Sequence, residues 1–101
     1  MACEVVVTDE AKEDLDAAVL YLTESLGVPA AAGDLLDAFD GFVAKVEAFP
    51  LMYPTARESR LARLGYRKAA LEGYLALYRV KGEKVYVAHV FHQSQDYARL
   101  V

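Results

Sequence analysis

The apolar residues of this chain keep two different periods, and the change falls between Pro50 and Pro54. Before Pro50 they recur at helical spacing. One stripe runs Ala11, Leu15, Val19, Leu22, Leu26 with Ala18 beside it. A second runs Leu35, Phe39, Phe42, Val46, Phe49, widened by Leu36 and Val43. Residues three and four apart share one helix face, so each stripe predicts an amphipathic helix with one buried side. After Pro54 the apolar and β-branched residues gather into three runs, 66–71, 74–80 and 84–92, of strand length and composition. A fourth short run, residues 3–7, precedes the first helix. The order strand, helix, helix, strand, strand, strand predicts an α+β domain. A two-helix antiparallel hairpin packs on one face of a three-stranded, mainly antiparallel sheet.

Punctuation residues support these boundaries. Thr8 can accept a hydrogen bond from the first free helical N–H groups, and Asp9, Glu10, Glu13 and Asp14 follow where the helix dipole favours negative charge. Gly27 stands where the first helix should stop, and Pro29 suits the first turn of the second. Pro50 ends that helix. Residues 57–65 carry bases at spacing three and read as a short basic helical turn or a loop. Glu72-Gly73 and Lys81-Gly82-Glu83 read as hairpin turns.

At 101 residues the chain fits one domain, residues 1–101, with a dense core supplied by a 55% hydrophobic composition. The single cysteine, Cys3, excludes an internal disulfide and a cysteine-based zinc site, and no cofactor is expected. The N-terminus lacks the basic stretch and apolar run of a secretory signal, and no apolar run approaches the ~20 residues of a membrane span. A cytoplasmic protein without a membrane partner is expected. Charge is segregated: residues 1–50 hold eleven acids and two bases, residues 51–101 nine bases and four acids. Such asymmetry points the second half towards an anionic partner, RNA or an acidic protein segment.

The second half carries Gly65-Tyr66-Arg67-Lys68, then Gly73-Tyr74-Leu75-Ala76-Leu77-Tyr78-Arg79-Val80, then Val85-Tyr86-Val87-Ala88-His89-Val90-Phe91-His92 and Gln95-Asp96-Tyr97. These segments resemble the C-terminal half of RelE/ParE toxins of bacterial type II toxin–antitoxin systems. So do Phe49-Pro50-Leu51-Met52-Tyr53-Pro54 and the order of elements. The resemblance covers nearly the whole chain. It implies a plasmid-stabilisation or addiction toxin that blocks growth when free of its antitoxin. The target is either mRNA at the ribosome, cut by an endoribonuclease, or DNA gyrase, poisoned by a protein without catalytic residues. A third reading is a decayed toxin fold that only binds its antitoxin.

Metal-free RNA cleavage needs a base for the ribose 2′-OH, a cation for the phosphate and an acid for the leaving oxygen. In RelE-like enzymes, the resemblance implies, sheet Lys and Arg residues share these tasks with a C-terminal Tyr or His. The corresponding candidates here are His92 as base or acid, Arg67 and Arg79 as phosphate clamps, and Tyr97 as a stacking group. Arg67 rather than Lys68 occupies the position where a sheet lysine is expected. An arginine expected after the Gly-Tyr pair is Leu75, and the bases often found between His and Asp are replaced by Gln93, Ser94 and Gln95. Structural roles compete: Arg79 could pair with Glu83 or Glu72, Tyr97 could cap the core, and His89, alternating with Val87 and Phe91, reads as structural. Strand alternation places Tyr74, Ala76, Tyr78 and Val80 against the helices and turns Leu75, Leu77 and Arg79 outward with the site.

The expected partner is a mostly disordered antitoxin segment that folds on the toxin, giving a toxin–antitoxin hetero-oligomer. An apolar patch left for it is expected at the sheet edges and the C-terminal tail.

Overall fold

A computed structural model describes residues 3–101. Strand β1 (Glu4–Val7) leads through Thr8 into helix α1 (Asp9–Leu20), which continues as a π-helical turn over Tyr21–Ser25. Thr8 caps α1 by accepting from the Ala11 N–H at 3.2 Å, and Gly27 reverses the chain at φ 65°. Helix α2 (Pro29–Ala48) starts on its proline as expected and returns beside α1. A connector leads to the short helix α3 (Ser59–Arg63), so the basic segment takes the helical alternative. Then come β2 (Arg67–Leu71), β3 (Tyr74–Lys81), β4 (Lys84–His92) and a final turn, α4 (Tyr97–Leu100).

The sheet has four strands in the order β1-β4-β3-β2. It differs from the expected three-stranded antiparallel sheet because β1 pairs parallel to β4, from Glu4↔Lys84 to Val7↔Val87. The other pairings are antiparallel. The reason is geometric: α1 and α2 carry the chain across the sheet before β2 begins, leaving β1 free to close the far edge. Glu72 and Gly73 both take positive φ, 50° and 83°, the two-residue turn that matches strand twist. Leu71↔Tyr74 follows, and with it the register of the whole β2–β3 hairpin.

A bulge interrupts β4. Leu77 pairs with His89 but Tyr78 pairs with Val87, leaving Ala88 unopposed. Thr8 fastens the bulge, its Oγ1 donating to the carbonyl oxygens of Val87 at 2.9 Å and Ala88 at 3.1 Å. Beyond it α1 replaces β1 along the strand edge, and the Val90 N–H donates to Asp14 Oδ2 at 3.1 Å. The bulge also corrects the predicted alternation of His89 with Val87 and Phe91. Val87 points into the helix-side core, whereas Phe91 lies on the other face.

The sheet separates two cores. On the helix side Leu35, Phe39, Phe42 and Val46 meet Tyr74, Ala76, Tyr78, Val85 and Val87, as the alternation predicts. Phe42, Tyr53 and Tyr78 pack edge-on within about 6 Å of one another, and the buried Tyr78 hydroxyl donates to the Pro50 carbonyl at 2.9 Å. Burial pushes the Tyr78 phenol pKa up. Phe49 leaves the predicted stripe and is 68% exposed, because α2 ends at Ala48. On the opposite face Leu75 and Leu77, expected to face outward, are buried with Ala56, Leu61, Tyr66 and Phe91. Helix α3 and the C-terminal segment cover them, so β3 is apolar on both sides for a reason.

Candidate functional site

The face covered by α3 and α4 holds the densest polar cluster. Lys68 Nζ donates to Tyr97 Oη at 2.9 Å and to Glu58 Oε1 at 3.2 Å, and Tyr97 O–H donates to the same Glu58 oxygen at 3.0 Å. Burial works to raise the Glu58 carboxyl, but hydrogen bonds from Lys68 and Tyr97 outweigh it and its pKa lies below the ordinary value. The Tyr97 hydrogen bond, helped by Glu58 and opposed by burial, holds Lys68 above its ordinary value. Lys68 is therefore a charged ammonium bound to two partners, unsuited to be a general base. The Tyr97 ring stacks on Phe91 at 6.4 Å between centroids, and His89 stacks on Phe91 from the other direction at 5.1 Å. Arg60 Nη1 adds a bond to the Ala98 carbonyl at 3.1 Å, so three side chains tie α4 down.

Arg79 lies on this same face. Its guanidinium sits 4.7 Å from the Tyr66 ring centroid, and its Nε is buried without a hydrogen-bond partner. No ion pair to Glu83 or Glu72 forms among the described residues; stacking on Tyr66 takes that role.

Arg67 lies on the opposite face. It pairs with Tyr78, and its Nη1 donates to the carbonyl oxygens of Tyr53 at 2.7 Å and Leu51 at 3.5 Å. It clamps the connector after α2. His92 also lies on the helix side, four β3 positions away, opposite Tyr74, whose ring it meets edge-on at 5.1 Å. Its Nδ1 accepts the Ser94 N–H at 3.1 Å and stands 2.6 Å from Ser94 Oγ. The structure thus puts Arg79 and Tyr97 on one face, and Arg67 and His92 at separate places on the other.

His92 borders an open pocket of about 460 Å³ between α1 and the end of β4. Asp14, Tyr21, Tyr74, Ser94 and Gln95 complete its polar and aromatic wall. Burial and the nearby Tyr21 phenol raise the Tyr74 pKa. Sequence reasoning missed Lys68, Glu58, Asp14, Tyr21 and Tyr74 as site residues. For Lys68 a signal was available. The two-residue turn at Glu72-Gly73 fixes Leu71 against Tyr74, hence Lys68 against Leu77 and away from the helices. The pocket has no such signal, because the bulge and the π-helical turn create it.

The model of the ParE toxin of the type II toxin–antitoxin system parDE matches residues 5–97. The chain belongs to the ParE toxin family. This ParE-family chain is a toxin component of a type II toxin–antitoxin system. Two solved structures are similar to it. A chain of the chromosomal ParDE TA system from P. aeruginosa is 21% identical, with a TM-score of 0.69 over 90% of this chain and 96% of that one. A chain of the toxin–antitoxin complex RelBE2 from Mycobacterium tuberculosis is 26% identical, with a TM-score of 0.62 over 92% of this chain and 100% of that one. No curated protein matches at a significant level. Among the described residues of the ParE-family chain no helix is long and apolar enough to cross a membrane, and no three His, Cys, Asp or Glu side chains gather as a metal site would need.

Proposed function

We propose that this ParE-family toxin arrests growth by binding and poisoning DNA gyrase in the cytoplasm, as a single domain without a cofactor, and that a cognate antitoxin holds it in check. The dispersal of the cationic and titratable candidates carries the reading. Cleavage of a phosphodiester requires base, acid and cation within hydrogen-bond reach of one phosphate. Arg67 is committed to backbone carbonyls, Lys68 to Glu58 and Tyr97, and Arg79 to Tyr66, while His92 stands on the other face from Tyr97. Leu75, where a nuclease of this resemblance would carry an arginine, is 5% exposed within an apolar cluster. A protein-binding poison needs none of that convergence.

The antitoxin reading is supported by exposed apolar side chains. They lie at the helix-hairpin tip (Leu20, Tyr21, Leu26, Val28) and on the connector (Phe49, Leu51, Met52), with Leu100 at the tail. The tail was expected to contribute; the larger patches flank the helices instead of the sheet edges. The first half of β2 is shielded by the connector, through Lys68 N–H to the Pro54 carbonyl at 3.1 Å and Ala56 N–H to the Tyr66 carbonyl at 2.9 Å.

Pulse-labelling after induction in bacteria without antitoxin tests the target. DNA synthesis should fall first, with intact mRNA, and a His92→Ala variant should arrest growth as fully as the parent. Early loss of translation with cut mRNA, abolished by His92→Ala, would favour the nuclease. Normal growth would leave only antitoxin binding.

A further inference from the structure

We propose that the pocket between α1 and the end of β4 receives an arginine side chain carried by a partner polypeptide. This goes beyond the gyrase reading and stands whichever target the toxin has. Asp14 is the one acid of its lining, and Tyr21, Tyr74, Phe91 and His92 are its aromatic rings. Asp14 is fixed there, its Oδ2 accepting the Val90 N–H at 3.1 Å and facing His89 Nδ1 at 3.4 Å. Its second oxygen has no bond among the described residues. Tyr21 and Tyr74 line it beside the small side chains of Ala17 and Ala18.

Two local features hold this shape. The π-helical turn, closed by the Leu26 N–H on the Tyr21 carbonyl at 3.0 Å, sets Tyr21 at the pocket mouth, where half of its surface is open. Such turns cost helix regularity and recur where a helix is shaped for a ligand. At the other wall, the Ser94 N–H donates to His92 Nδ1 at 3.1 Å and holds the ring in place.

Charge selects the occupant. No lysine or arginine lines the pocket, and the first fifty residues that build its α1 wall carry eleven acids against two bases. A cation is attracted, and an anionic nucleotide is repelled. A guanidinium suits the walls better than an ammonium. It is flat, stacks on phenol rings and binds a carboxylate through paired N–H groups. An open volume of about 460 Å³ takes a side chain while its backbone lies outside. Leu20, Leu26 and Val28, exposed on the adjoining hairpin tip, offer that backbone an apolar bed.

The test is a ¹H–¹⁵N NMR titration of the full chain with N-acetyl-arginine methylamide. Lysine and neutral citrulline analogues, and AMP, serve as comparison probes. The arginine probe should give saturable shifts at Ala17, Ala18, Tyr21 and residues 92–95, with citrulline at least about tenfold weaker. Asp14→Asn keeps an acceptor for the Val90 N–H and should weaken binding by about tenfold. Tyr21→Ala, at a half-exposed side chain, should weaken it severalfold without unfolding the chain and serves if Asp14→Asn does not fold. Equal binding of citrulline or lysine would overturn the proposal. So would unchanged affinity in both variants, or shifts at these residues with AMP and none with arginine.

Discussion

Lys68, Glu58 and Tyr97 form a closed triangle in which each member satisfies the other two. Both charged side chains are about a quarter exposed, so the ion pair alone contributes little, and the hydrogen bonds matter more. Tyr97→Phe keeps the ring on Phe91 but removes the hydroxyl. It should cost about 1 kcal/mol, read as a Tm lower by about 4–8 °C; an unchanged Tm would mean that the triangle is ornamental. The pKa directions also fix the pH response. Glu58 lies below its ordinary 4.5, so its stabilisation is complete above that value and lost as pH falls through the lower native value. Lys68 lies above its ordinary 10.5, so its stabilisation is complete below that value and lost as pH rises through the higher native one. Glu58→Gln should flatten the acid limb of Tm against pH, and Lys68→Met the alkaline limb. Identical limbs in parent and variant would contradict the assignment.

At the scale of elements, Thr8, between β1 and α1, ties three parts of the fold together. It caps α1 and binds both carbonyls at the β4 bulge. Thr8→Ala should destabilise the fold by about 1–2 kcal/mol, measured by urea unfolding, and Thr8→Ser by less. A cost confined to a few tenths would mean that the bulge holds without it. The cap was legible in the sequence, as were α2 beginning on Pro29, the tight Glu72-Gly73 turn and the helix-facing set Tyr74, Ala76 and Tyr78. These features depend on neighbours in the chain or on a strict period. The bulge at Ala88 was not legible, because it arises from β1 and α1 sharing one strand edge. Nor was the fate of Leu75 and Leu77. A five-residue helix and a four-residue tail cover them, and neither is long enough to announce an apolar face.

The whole molecule is a four-stranded sheet with an acidic helix pair on one side and a basic, thinly covered face on the other. Four candidate residues that look like one set along the chain, His92, Arg67, Arg79 and Tyr97, are divided by that sheet. Alternation and the hairpin register carried this information, since Arg67 opposite Tyr78 must face the helices. What remains on the outer face is the Lys68–Glu58–Tyr97 triangle and an arginine stacked on Tyr66. The proposed activity is therefore poisoning without catalysis. Its most direct test is purified toxin incubated with DNA gyrase, ATP and supercoiled plasmid, followed by detergent and protease treatment. The prediction is linear plasmid from trapped cleavage complexes, undiminished by His92→Ala. Full supercoiling with no linear product, together with ribosome-bound mRNA cut by the same preparation, would contradict it.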